Sequence, residues 1–289
     1  MEKIKCISPE LKNWIVNTLE QGVKPEAIFN GLVKKGFDET FAFSVLFRLA
    51  GNKQVDAGEL KEVKHEPYVY ETPEIGRKGN IIRTSDREIT VALRVEKPFI
   101  LYLENVLSDE ECDQLIEMSR DRLNPNEIYD PKTGKKTIAP GRTSKGAYYA
   151  IGENEFIAKI EKRFAELTGL PVENGEGLQV LNYQIGEEYK PHFDYFPKNQ
   201  VDDKKGGNRI ATLLVYLNDV EEGGETEFPR AGLSVVPRKG SAVYFHYGNS
   251  KGQSDRLSVH SSVPVKKGEK WAATKWIRES NIYSNFKQQ

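Results

Sequence analysis

Tyr189-Lys190-Pro191-His192-Phe193-Asp194-Tyr195-Phe196 sets an imidazole and a carboxylate two residues apart in an aromatic run. In an extended strand, residues i and i+2 project to the same face. His192 and Asp194 are therefore expected to converge on one point. His260, in Leu257-Ser-Val-His-Ser-Ser-Val263, offers a third donor from a distant part of the chain. Nitrogen and oxygen donors without thiolate admit iron, zinc or manganese, and three of them leave coordination positions open. A His-x-Asp pair also arises where an aromatic-pocket histidine precedes a loop-capping aspartate, so the surrounding chain has to decide.

Lys270 bears on that choice. It follows Lys267-Gly268-Glu269 and opens an apolar strand, Trp271-Ala-Ala-Thr-Lys-Trp-Ile277. A lysine inside a β framework costs desolvation energy unless an anion meets it. A dicarboxylic ligand would supply that anion, and the Tyr183 phenol a further donor. The alternative is a lysine on the solvent side of its strand.

The strands around these residues set the architecture. From Gly177 onward the chain reads as short β segments with glycine punctuation: Leu178–Tyr183, Tyr189–Phe196, Arg209–Leu217, Glu225–Phe228, Leu233–Val236, Ser241–Phe245, Leu257–His260 and Trp271–Ile277. Such a series implies a closed or sandwiched β fold. Upstream, Ile89–Val95 and Phe99–Leu103 are strands. Ser108 with Glu111 has capping-box spacing at a helix start, and Phe156–Leu167 is a second helix. Asp130–Pro140 and Pro197–Gly206 are polar, glycine- and lysine-bearing segments suited to lids or exposed hairpins.

The first fifty residues read as three short helices. Ser8-Pro9-Glu10 opens the first, Lys24-Pro25-Glu26 the second, and Asp38 caps a third bearing Phe41, Ala42, Val45, Leu46 and Leu49. Trp14, Phe29, Phe41, Phe43 and Phe47 are expected in its core. Lys35-Gly36-Phe37-Asp38 resembles small three-helix modules of the ubiquitin-associated type, though ubiquitin binding does not follow. The module is either a structural extension or a docking element for a protein partner. Residues 51–87, with isolated His65 and interrupting Pro73, Gly76 and Gly79, form a linker or docking segment. Residues 88–289 are the main domain.

Composition narrows the classes of partner. The 289 residues carry 42 basic and 43 acidic side chains, a net charge of −1. That balance gives no electrostatic case for nucleic acid or an anionic membrane. Cys6 and Cys112 form no CxxC pair, so a thiolate zinc site is not expected. With no secretory h-region or membrane-length apolar run, the sequence reads as cytoplasmic.

Phe99 to Arg278 resembles the catalytic domain of the prolyl 4-hydroxylases, iron(II)- and 2-oxoglutarate-dependent dioxygenases. The resemblance rests on Arg142-Thr-Ser, Leu178-Gln-Val-Leu-Asn-Tyr183, Tyr189-Lys-Pro-His-Phe-Asp194, Gly207-Asn-Arg-Ile-Ala-Thr212, Tyr216-Leu-Asn-Asp-Val-Glu-Glu-Gly-Gly-Glu-Thr-Glu-Phe-Pro229, Lys239-Gly-Ser-Ala242, His260, Lys270-Trp and Thr274-Lys-Trp-Ile277. It implies an α+β, mainly β chain with a double-stranded β-helix (jelly-roll) core, flanking helices and the N-terminal helical module. It implies Fe(II) on His192, Asp194 and His260. Lys270, Tyr183 and, less centrally, Thr226 would hold 2-oxoglutarate. Tyr189, Arg209, Arg142 and Trp271 would face a proline-containing peptide. The expected reaction is O2-dependent 4-hydroxylation of peptidyl proline with release of succinate and CO2, with ascorbate as a supporting reductant. Where many relatives carry a histidine that helps place 2-oxoglutarate, this chain has Arg278, expected to keep a donor group there or to point elsewhere. Two alternatives are a same-class oxygenase with another substrate, and a catalytically silent peptide-binding protein.

Overall fold

A computed structural model describes residues 7–37, 41–42, 45–46, 49, 67–125, 127–129, 136–138, 141–197 and 200–283. The chain divides into two compact units, Met1–Pro67 and Tyr68–Gln289.

In the first unit, helix Pro9–Glu20 starts at Ser8, whose side chain accepts from the Leu11 amide, with proline in the first turn. A second helix spans Pro25–Lys34. Phe41, Ala42, Val45, Leu46 and Leu49 are helical as well. Ile15, Ile28, Leu32, Ala42 and Leu46 form the buried core. Trp14 does not join it: at 51% exposed, it lies on the solvent face. Phe43, Phe47, Cys6, His65 and most of the expected linker lie outside the described residues.

The second unit is mostly antiparallel β structure with helices. Its strands are β1 Ile81–Arg83, β2 Glu88–Val95, β3 Phe99–Glu104, β4 Asn124–Pro125, β5 Glu127–Tyr129, β6 Lys136–Ile138, β7 Lys145–Tyr149, β8 Leu178–Tyr183, β9 Tyr189–His192, β10 Arg209–Tyr216, β11 Glu222–Gly223, β12 Thr226–Phe228, β13 Leu233–Val235, β14 Ala242–His246, β15 His260–Ser262, β16 Val265–Lys267 and β17 Lys270–Arg278. Nine form one sheet in the order β1-β2-β3-β14-β10-β17-β8-β7-β4. Four form a second in the order β13-β12-β15-β9. Two short pairs, β11-β16 and β5-β6, complete the set. Of the expected Asp130–Pro140 segment only strand β6 falls within the described residues, and of Pro197–Gly206 all but two residues do.

Strand alternation divides the large sheet into two faces. Leu101, Leu213, Val215, Tyr244, Trp271, Ala273 and Ile277 pack against Cys112, Leu115, Ile157, Phe164 and Leu167 of two helices. Ile100, Tyr216, Val243 and Phe245 meet Phe228 and Val235 of the small sheet. The second unit is therefore layered as helices, large sheet and small sheet, with the site in the second interface.

The first of these helices, Asp109–Arg120, carries the expected Ser108–Glu111 capping box. The second, Glu155–Thr168, is capped by the Asn154 side chain and ends at Gly169, φ 75°, in the left-handed region. Arg163, 1% exposed, ties them together. Its guanidinium donates to Glu111 at 2.6 and 2.7 Å and to Asp86 at 2.6 and 3.0 Å. Cys112 is a free, buried thiol.

Within the second unit, the stretch that opens it at Tyr68 packs against the loop after β14. Tyr68 Oη donates to the Gly248 carbonyl at 2.9 Å, and the Val69 amide to Gln253.

Candidate active site

Two expected strands are shorter than their sequence suggests, and both changes shape the site. Strand β9 stops at His192, so Asp194 is not the i+2 residue of a continuing strand but sits in the bend beyond it. Leu257 belongs to a 3-10 turn, Arg256–Ser258, and β15 begins at His260. His260 and His192 are register partners across the β9–β15 ladder. Ladder geometry brings the imidazoles together, while the bend swings the carboxylate back toward both. Asp194 Oδ1 lies 3.5 Å from His192 Nε2, and Oδ2 lies 3.5 Å from His260 Nε2. All three donors fall within 4.8 Å of one another.

The surroundings set their protonation. His192 Nδ1 is 2.8 Å from the Lys190 carbonyl, and His260 Nδ1 is 3.1 Å from that of Ser258. A carbonyl only accepts, so each Nδ1 carries a hydrogen and each Nε2 faces the cluster. Burial, with His192 adjacent, lowers His260 to about 4 and keeps it neutral. Burial opposes the charge on Asp194, yet His260 once protonated, the His192 contact and the Arg209 guanidinium outweigh it and hold the carboxyl well below its ordinary range. Thr212 Oγ1 donates to Asp194 Oδ2 at 2.7 Å and is met at 3.0 Å by the buried Tyr247 hydroxyl. Two imidazole Nε2 atoms and a fixed carboxylate converging on one point supply the donor atoms that metal binding requires. The donor set fits ferrous iron of the open facial type.

The cluster lines a cleft of about 450 Å³, part of it open solvent, between the two sheets. Tyr183, Tyr189, Arg142, Thr226 and Lys270 line it too. Lys270 and Tyr183 are register partners on β17 and β8. Lys270 is 1% exposed, and burial lowers its ammonium to about 7. Its Nζ donates to Ser262 Oγ at 2.7 Å, and no carboxylate pairs with it among the described residues. Gly224, φ 71°, turns beside it; a Cβ there would sit 3.3 Å from Lys270 Cδ. A buried cation beside hydroxyl donors fits the distal carboxylate of a dicarboxylic acid.

Tyr189 stacks on His192, with ring centroids 3.5 Å apart, and burial pushes its phenol up to about 12. Arg142 lies 5.0 Å over the Tyr189 ring and donates to Gln179.

Three expected site residues stand elsewhere. Trp271 is 2% exposed in the core beneath the helices. It neighbours Lys270 in sequence, so alternation sends it to the opposite face. Arg278 is engaged outside the cleft lining, donating to Glu176 at 2.7 Å and to the Gly207 carbonyl at 2.9 Å over the Phe196 ring. Arg209 joins the same carboxylate with two 2.7 Å bonds and reaches the Asp194 carbonyl at 3.2 Å. It braces the bend rather than lining the cleft. Glu176, Thr212, Ser262 and Trp276 escaped the sequence reading. Trp276 had a usable signal, since Lys270, Ala272, Thr274 and Trp276 occupy alternate positions of one strand and all line the cleft.

Comparison with known proteins agrees with this geometry. The family model of the 2OG-Fe(II) oxygenase superfamily matches residues 178–278, and the chain is an Fe(II)- and 2-oxoglutarate-dependent dioxygenase. Probable prolyl 4-hydroxylase 10 of Arabidopsis thaliana is 44% identical over 193 residues, 60% of this chain and 66% of that protein. Prolyl 4-hydroxylase 5 of the same plant is 41% identical over 200 residues, 63% of this chain and 68% of that protein. A viral collagen prolyl hydroxylase from Paramecium Bursaria Chlorella virus-1, solved as its 2OG complex, has a TM-score of 0.50 and 32% identity. It covers 62% of this chain and 95% of that one. The chain belongs to the prolyl 4-hydroxylase family of these oxygenases.

Among the described residues no helix is long and apolar enough to cross a membrane.

Proposed function

We propose that the chain 4-hydroxylates proline in peptides or protein segments, consuming 2-oxoglutarate and O2 and releasing succinate and CO2. The two facing sheets serve as the double-stranded β-helix of such an enzyme. The observation that carries the reading is the shared cleft: a His-Asp-His cluster and a buried lysine that, among the described residues, pairs with no carboxylate line one space between the sheets.

Ferrous iron, when bound, supplies the O2 activation that couples decarboxylation of the oxo acid to oxidation of a substrate C–H bond. His192, Asp194 and His260 would hold it, with Thr212 fixing the carboxylate. Lys270, Tyr183 and Thr226 would fix the far end of 2-oxoglutarate. The protein's part is to position the oxo acid and the proline ring together and to exclude bulk water.

The peptide side is read from unfilled donors. Trp276 Nε1 and Arg142 Nε are buried with no hydrogen-bond partner among the described residues, and both residues line the cleft. Buried donors seek acceptors, and the carbonyls of an extended, proline-rich peptide would supply them. With Tyr189 they form an aromatic and cationic wall suited to polyproline-type segments. The N-terminal helices are assigned a recruiting or structural role for protein substrates.

The test is incubation of the protein with Fe(II), 2-oxoglutarate, O2 and a panel of proline-containing peptides. Mass spectrometry is expected to place one added oxygen on proline, and amino-acid analysis to identify 4-hydroxyproline. Oxidation at another residue would replace this reading with a different substrate class. Failure of all peptide oxidation and succinate release in iron-loaded protein would sink the catalytic reading.

A further inference from the structure

We propose that Ser262 is a further donor to the distal carboxylate of 2-oxoglutarate, acting with Lys270, Tyr183 and Thr226. The inference rests on the assignment of that carboxylate to the Lys270 end of the cleft.

Four elements converge there by register. Lys270 on β17 is the ladder partner of Tyr183 on β8 in the large sheet. Ser262 on β15 is the ladder partner of Thr226 on β12 in the small sheet. Ser262 lies two residues after His260, and the two side chains line the same cleft. Each sheet therefore delivers one pair of polar side chains to the same end of the space.

The hydrogen-bond inventory shows what each can offer. Ser262 Oγ accepts from Lys270 Nζ at 2.7 Å. A hydroxyl that accepts keeps its own hydrogen to donate. Thr226 Oγ1 likewise accepts from Tyr216 Oη at 2.8 Å, which leaves its hydrogen for the cleft. The Lys270 ammonium has three hydrogens, of which Ser262 takes one. Ser262, Thr226 and Lys270 are all at least nine-tenths buried, at 7%, 1% and 1% exposed. A carboxylate has two oxygens with roughly four lone-pair positions, matching an ammonium and three hydroxyls. Ser262 also fixes the direction of the flexible lysine stem, so its hydroxyl orients one donor as well as being another.

The chemical consequence is selectivity for 2-oxo acids with a second carboxylate. The test is anaerobic titration of the full, Fe(II)-loaded chain with 2-oxoglutarate and with 2-oxovalerate, a monocarboxylic acid of equal chain length. Binding is followed by calorimetry and visible absorbance, without turnover. Ser262→Ala is expected to weaken 2-oxoglutarate about tenfold, the loss of a hydrogen bond to a charged group. Affinity for 2-oxovalerate stays unchanged, and Ser262→Thr, which keeps the hydroxyl, stays close to the unsubstituted protein for both. Should Ser262→Ala lose its cooperative melt, Ser262→Cys takes its place, since a thiol keeps the volume with a weak donor. Unchanged 2-oxoglutarate binding in the variant, or equal weakening of both acids, overturns the proposal. If the unsubstituted protein binds no 2-oxoglutarate, the parent assignment fails with it.

Discussion

Asp194 reaches the two imidazoles from a bend beyond strand β9. His192 and Asp194 stand two residues apart, but the strand that would set them on one face ends at His192. The approach depends instead on a bend braced from other elements, by Thr212 at the carboxylate and Arg209 at the carbonyl. Neither contact is local, so a window of sequence around Asp194 carries no sign of them. Thr212→Val retains shape and removes the donor. It is expected to weaken Fe(II) binding by 10-fold or more, on the order found for partners of metal ligands. Calorimetric metal titration reads this directly, and unchanged affinity would show that the bend holds Asp194 without Thr212.

At the scale of elements, β17 is the most legible part of the chain once one residue is oriented. Lys270 inward implies Ala272, Thr274 and Trp276 inward and Trp271 outward. The resemblance placed Trp271 at the peptide, whereas the pleat buries it with Ala273 and Ile277 under the helices. Lys275, on that outer face, is paired with Glu161 of helix Glu155–Thr168. That helix layer was visible from its caps and apolar spacing, but its Arg163 tie was not, because Asp86 and Glu111 are distant in sequence. Replacing Arg163 with Met leaves the buried Glu111 without its main partner. The expected loss is about 3 kcal/mol, the range for breaking a buried pair by removing one member. Denaturant unfolding measures it, and a loss below about 1 kcal/mol, the scale of an exposed pair, would contradict a buried-tie role.

Across the whole molecule, buried titratable groups predict acid sensitivity. Burial opposes the charge of Glu111, but Arg163, the Ser108 amide and Lys159 bring it from 4.5 down to about 2. Its contribution is complete above pH 4.5 and is lost as pH falls toward 2. Burial lowers His246 from 6.5 to about 4, so the unfolded chain takes up its proton first and stability falls between those values. Unfolding followed against pH should therefore show decline beginning below 6.5 and steepening below 4.5. His260, lowered to about 4 in the same way, shares this limb. His246→Phe is therefore expected to make the upper limb shallower without abolishing it and to leave the lower limb in place. An unaltered profile in that variant would assign the limb to His260 and other groups. The β order, the triad and Lys270 were readable because each is a local pattern or a recurrent motif. The three-layer register, which decides what faces the cleft, emerges only when distant strands pair. The central claim is that this cleft couples 2-oxoglutarate to proline, and the most direct measurement is succinate released against 4-hydroxyproline formed on a proline-rich peptide. The account predicts equal amounts of the two products, both abolished in Asp194→Asn. Succinate without any hydroxyproline across proline peptides, or hydroxyproline formed undiminished by Asp194→Asn, would contradict it.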